Sequence, residues 1–150
     1  MEALVKYAPE QAGELFQYRS KYLVCGQYKQ DIQYPDMYYA SSSYLHLEDT
    51  EHPNHIAYYI AGNKTQCHTY RLILNINDIS YMPADKEYLL ACAKDLYLYI
   101  FDRPLDERII HAIKHGQDVQ FIYKKTNISL YKRDWSASAT NGFELEFSIG

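Results

Sequence analysis

Residues 55–76 hold the pattern that most limits what this chain can become: two strand-like runs, 55–61 and 66–76, on either side of Gly62-Asn63-Lys64-Thr65. Glycine and asparagine at such a junction supply the backbone freedom and local hydrogen bonds of a tight reversal. The two runs must then pair antiparallel. In the second run His68, Tyr70, Leu72, Leu74 and Ile76 alternate with Cys67, Thr69, Arg71, Ile73 and Asn75. Apolar residues on both sides of that alternation predict a central strand.

The rest of the chain extends this theme. Residues 37–47 alternate too, weakened by three consecutive serines, and predict a strand after an irregular 27–36 loop. Residues 119–125 and 128–133 predict a second hairpin reversing at Thr126-Asn127. Phe143–Ile149 sets four apolar residues against three polar ones, the pattern of a half-buried strand. Three segments have helical spacing. Residues 9–25 begin on Pro9, place Ala12, Leu15, Phe16, Tyr22 and Leu23 on one side and end before Gly26. Residues 83–101 carry the stripe Leu89, Cys92, Ala93, Leu96 and Ile100, and residues 104–115 carry Leu105, Ile109, Ala112 and Ile113 ahead of Gly116. The order α-β-β-β-α-α-β-β-β groups strands in hairpins instead of alternating them with helices. It predicts a single α+β domain over residues 1–150: a mostly antiparallel sheet of about six strands, with two or three helices packed on one face.

Composition narrows the functional classes. A net charge of -4, its excess in residues 1–117, disfavours non-specific binding to nucleic acid or anionic membranes. Cys25, Cys67 and Cys92 are odd in number and widely spaced, which argues against a disulfide framework and for a reducing compartment. The first residues lack a basic leader and an apolar run, no stretch approaches a membrane span, and a cytoplasmic location is expected. Two glycosylation sequons, at Asn63 and Asn127, are then chance matches.

Motifs that carry chemistry are few. No nucleophile elbow, P-loop or dinucleotide-binding glycine pattern occurs, and the 6 glycines leave little material for a phosphate cradle. Glu107, His111 and His115 share a helix face at zinc-compatible spacing. That face lies opposite Ile109 and Ile113, so a solvated surface is expected and no metal or cofactor is assigned. Glu144 and Glu146 share the polar side of the last strand and would act as a carboxylate pair only in a cleft. The bases and aromatics of Tyr123-Lys124-Lys125, Tyr131-Lys132-Arg133 and Trp135 are a weak nucleic-acid signal in an acidic chain.

The chain contains 17 tyrosines against 5 phenylalanines. Tyrosine joins a large apolar ring to a polar tip and is favoured at wet protein interfaces. Tyr28, Tyr34, Tyr38, Tyr39 and Tyr44 fall in residues 28–51 with Ser41, Ser42 and Ser43, among Asp31, Asp36, Glu48, Asp49 and Glu51. Tyrosine and serine are paratope residues, and acids around them would steer a basic partner. The partner-binding candidates are therefore Tyr28, Tyr34, Asp36, Tyr38, Glu48, Asp49 and Glu51. The expected function is non-enzymatic inhibition of another protein with a basic surface, as by an immunity protein or a phage-type antagonist. The alternatives are a small hydrolase or nuclease with a dispersed His/carboxylate site, and a secretion-type chaperone.

Overall fold

The computed structural model describes residues 7–134 and 142–150. Its centre is the hairpin of residues 55–76, formed by β4 (His55–Gly62) and β5 (Cys67–Ile76). Asn63 sets the reversal: its side-chain oxygen accepts the backbone N–H groups of Thr65 (3.0 Å) and Gln66 (2.9 Å). The other strands are β1 (Lys29–Gln30), β2 (Tyr38–Ser41), β3 (Leu45–His46), β6 (Val119–Tyr123), β7 (Thr126–Asp134) and β8 (Phe143–Ile149). All pair antiparallel in the order β1-β2-β4-β5-β8-β7-β6, with β3 also on β4. The fold is α+β, with an eight-stranded sheet where about six strands were expected.

Two differences account for the count. The expected strand 37–47 is interrupted after Ser41, because Ser42 Oγ accepts the Tyr58 N–H at 2.9 Å and so replaces a ladder bond. The loop before it contributes the two-residue β1. The second hairpin also reverses earlier than expected. Its turn is Lys124-Lys125, both left-handed at φ 51° and 64°, and Thr126 already belongs to β7. Lysine pairs seldom fill such a turn, so the sequence hides it.

Three α-helices occur among the described residues: α1 (Pro9–Gly13), α2 (Met82–Phe101) and α3 (Glu107–His115). α2 matches its expected bounds within one residue, and α3 starts three residues later than the expected 104. Asp106 caps α3 by accepting the Arg108 N–H, and Gly116 ends it at φ 61°. The expected helix 9–25 is corrected to one turn of helix, a run of turns, and a 3-10 turn at Lys21–Leu23. Gly13 lies where the helix stops, at a close approach: a Cβ there would stand 3.2 Å from Cys25 Cβ. Ser20 then accepts the Tyr22 N–H and starts the 3-10 turn. Ala12, Phe16 and Leu23 are nonetheless buried as their spacing implied, Tyr22 is exposed, and Gly26 caps no helix.

The helices pack on one face. There the register stacks rows across the sheet: Ile60, Tyr70, Ile149, Ile128 and Phe121 in one, Tyr58, Leu72, Phe147, Leu130 and Val119 in the next. Tyr58 meets Phe16 edge-on at 4.8 Å and donates to the Ala12 carbonyl at 2.8 Å, which fixes the first segment to β4. Arg19 ties the same segment to α2 through Asp95 at 2.7 Å. Tyr97 and Phe101 of α2 close the far end over Tyr123. Among the described residues, no helix is long and apolar enough to cross a membrane.

Candidate functional site: the open face of the sheet

Among the described residues, no helix packs on the opposite face of the sheet. Its side chains follow from the same register: Tyr39, Ala61 and Thr69; then Tyr59, Arg71, Ser148 and Ser129; then Ala57, Ile73, Glu146 and Tyr131; then His46, His55, Asn75, Glu144 and Arg133. The surface is aromatic on the β2–β4 side and charged on the β8–β7 side.

On the charged side Arg133 Nη1 bonds Glu144 Oε2 at 2.7 Å and Glu146 Oε1 at 2.6 Å, and Arg71 Nε lies 3.7 Å from Glu146 Oε2. Ser148 Oγ donates to Glu146 Oε2 at 3.1 Å. Glu146 is 8% exposed, so its carboxylate is held by partners and not by water, contrary to the solvated position its alternation implied. These pairs cancel one another's charge and leave the face near neutral.

At the His55 end of β4 the Tyr44 ring lies tilted against His55 with centroids 4.3 Å apart, and His46 meets His55 edge-on at 5.9 Å. Asn75 Nδ2 lies 3.3 Å from His55 Nδ1. Burial, helped by the neighbouring His46, lowers the His55 pKa and favours the neutral ring. Burial likewise raises the Tyr59 pKa, with Tyr44 beside it adding to the effect.

The aromatic side continues onto a protruding tip. Between β1 and β2, Asp31 Oδ1 accepts the N–H groups of Gln33 (2.8 Å) and Tyr34 (3.0 Å). This Asx turn presents Ile32 at 98% exposure, Tyr34 at 60% and Met37 at 49%. Met37 and Tyr39 then line a shallow cleft of about 380 Å³ with Tyr59, Ala61, Arg71 and Ile73. Met37 belongs to both tip and cleft, and Lys29 Nζ lies over the Tyr39 ring at 5.5 Å.

The seven residues singled out from sequence divide along β4. Tyr38 pairs with Gly62 at one end and His46 with His55 at the other. Tyr28, Tyr34, Asp36 and Tyr38 thus gather at the first end, and Glu48, Asp49 and Glu51 near the second. The length of β4 separates them by about 23 Å. Tyr34 and Asp36 are exposed at the tip. Tyr28 and Tyr38 stack on each other at 5.7 Å, and Tyr28 donates to the Asn63 carbonyl at 2.6 Å. Asp49 and Glu51 are exposed. Glu48 is turned inward: it accepts the Asn54 N–H at 2.9 Å and shares a hydrogen bond with Asp85, and burial pushes its pKa up to about 7.

Sequence reasoning missed Ile32, Met37, Tyr59, Arg71 and Ile73. Ile32 and Met37 have no periodic signal, and which face of β4 and β5 stays open depends on where the helices dock. His111 and His115 are exposed and stack at 4.3 Å on α3. Among the described residues no three His, Cys, Asp or Glu side chains group to hold a metal ion. Trp135 lies outside the described residues. Compared with protein families, with curated proteins and with solved structures, the chain matches none.

Proposed function

We propose that this protein acts by binding another protein, without catalysis, through the open sheet face and the β1–β2 tip. The observation that carries this reading is the exposure of Ile32, Tyr34, Met37 and Tyr39, with Met37 and Tyr39 also lining the cleft that holds Tyr59 and Ile73. Apolar side chains exposed together mark interaction sites, and tyrosine is among the residues that supply most binding energy. A standard interface covers about 800 Å² per partner, roughly 30 Å across. The proposed footprint covers the tip and the cleft, with Asp49 and Glu51 beyond the other end of β4 acting on a partner through their charge. The acidic ends favour a partner with a basic surface, and the net charge of -4 favours fast encounter with it. An antagonist that neutralises a basic toxin or defence protein is the concrete form of this function. Three free thiols, all raised in pKa by burial, suit work in the cytoplasm.

An enzyme reading has one supporting feature, the row His46, His55, Asn75, Glu144 and Arg133 on an open face. Its one carboxylate, Glu144, is spent on Arg133, and the neighbouring Glu146 on Arg133 and Arg71, so the binding reading is preferred.

The test uses variants on opposite sides of the molecule. Once a partner is co-purified from the native host, Ile32→Asp and Tyr34→Ala should each weaken its binding by about 2 kcal/mol or more, mainly through faster dissociation. Leu98→Asp, on the exposed side of α2, should leave affinity unchanged. Equal affinity for all three variants would remove this surface from consideration.

A further inference from the structure

The two edges of the sheet are built differently. β1 offers two residues, one of them a lysine, whereas β6 runs Val119-Gln120-Phe121-Ile122-Tyr123 with no charge on the strand. Edge strands commonly carry charge or are kept short to prevent pairing with another chain. Here the lysines that would serve that purpose, Lys124 and Lys125, sit in the left-handed turn beyond the strand.

The hydrogen-bond phase shows which backbone groups are open. The Asn127 carbonyl accepts the Gly150 N–H at 2.8 Å, on the side away from β6. Its partner Ile122 is therefore a non-hydrogen-bonded position of the β6–β7 ladder, and Gln120 is another. The N–H and C=O groups of both residues point outward from the edge. Ile122 is 74% exposed.

We infer that β6 pairs antiparallel with β6 of a second copy of this chain, about a two-fold axis at Phe121. The sequence is self-complementary in that register. Gln120 stands opposite Ile122 of the other copy, so their outward groups close the ladder. Val119 stands opposite Tyr123. At each end Asp118 stands opposite Lys124, an acid facing a base twice per dimer. One Asp118 oxygen accepts the Lys132 N–H at 2.8 Å. The partner's Tyr123 ring comes to rest beside Val119, at the mouth of a cleft of about 310 Å³ between α3 and β6. The tip and cleft near the β1 edge, on the far side of the sheet, stay free in the dimer, so this inference stands whether or not the proposed docking surface is correct.

Sedimentation equilibrium of the full chain over a wide concentration range tests it, with circular dichroism to confirm folding. The expected result is a monomer–dimer equilibrium. Lys124→Glu, an exposed turn substitution, should weaken the dimer about tenfold or more, since two opposed charge pairs become repulsive. Adding Asp118→Lys should restore it. Ile122→Pro removes an outward N–H without touching the β6–β7 ladder and should abolish dimerisation. If that variant fails to fold, Lys124→Glu and its charge-swapped double decide the matter. A chain that stays monomeric at every concentration, or a dimer indifferent to Lys124→Glu and its swap, overturns the inference.

Discussion

Asn54 is fully buried, and each polar atom of its side chain is used. Nδ2 donates to the Asp78 carbonyl at 3.0 Å and to Asp85 Oδ2 at 2.7 Å, while Oδ1 accepts the N–H groups of Asn77 (2.6 Å) and Asp78 (2.8 Å). One amide thus joins the loop before β4, the end of β5 and the start of α2. Asn54→Ala leaves two backbone donors and a buried carboxylate without this partner, and should cost about 3 kcal/mol or more, measured by urea unfolding. Glu48 beside it sets a pH dependence. Its carboxyl keeps its proton to about pH 7 in the folded chain, against an ordinary 4.5 in the unfolded chain. The folded state therefore binds more protons in that window, and this group's contribution makes stability fall as pH rises through it. Glu48→Gln, which keeps an acceptor for Asn54 and a donor for Asp85, should remove that part of the slope. An unchanged difference in urea midpoint across the window would show that the Glu48–Asp85 contact does not control it.

Among the elements, the Lys124-Lys125 turn is a local conflict: both residues adopt a backbone that costs an L residue about 1–2 kcal/mol. Lys125→Gly should raise stability by about 1 kcal/mol, read from thermal or urea unfolding, with the β6–β7 register unchanged. A loss of stability would mean that the lysine makes contacts outweighing its strain. The same conflict explains what the sequence concealed. Where periodicity and terminators agree, as in α2, β5 and β8, the elements were legible nearly to the residue, and α3 was legible except for its start at Glu107. Where one side chain overrides the pattern, they were not. Ser42 took a ladder bond from Tyr58 and split a strand. Gly13, pressed against Cys25, stopped a helix whose apolar spacing continued to Leu23. The candidate site was legible only at Tyr34, Asp36, Asp49 and Glu51. Its centre around Tyr59, Arg71 and Ile73 depends on which side of the sheet the helices cover, and alternation along a strand is blind to that choice.

At the scale of the whole molecule the design is two-sided. Three helices bury the rows of Tyr58, Leu72, Phe147 and Leu130, and the other side presents tyrosines, paired charges and the β1–β2 tip. The proposed function requires that open side to be the one a partner covers. The most direct measurement places a photo-crosslinking residue singly at Tyr34, at Tyr39 and at Leu98 in the native host. The expected result is that one and the same protein is captured from positions 34 and 39 and not from 98, and that Ile32→Asp abolishes the capture. Capture of that protein from position 98 alone, or capture at 34 and 39 that survives Ile32→Asp, would contradict it.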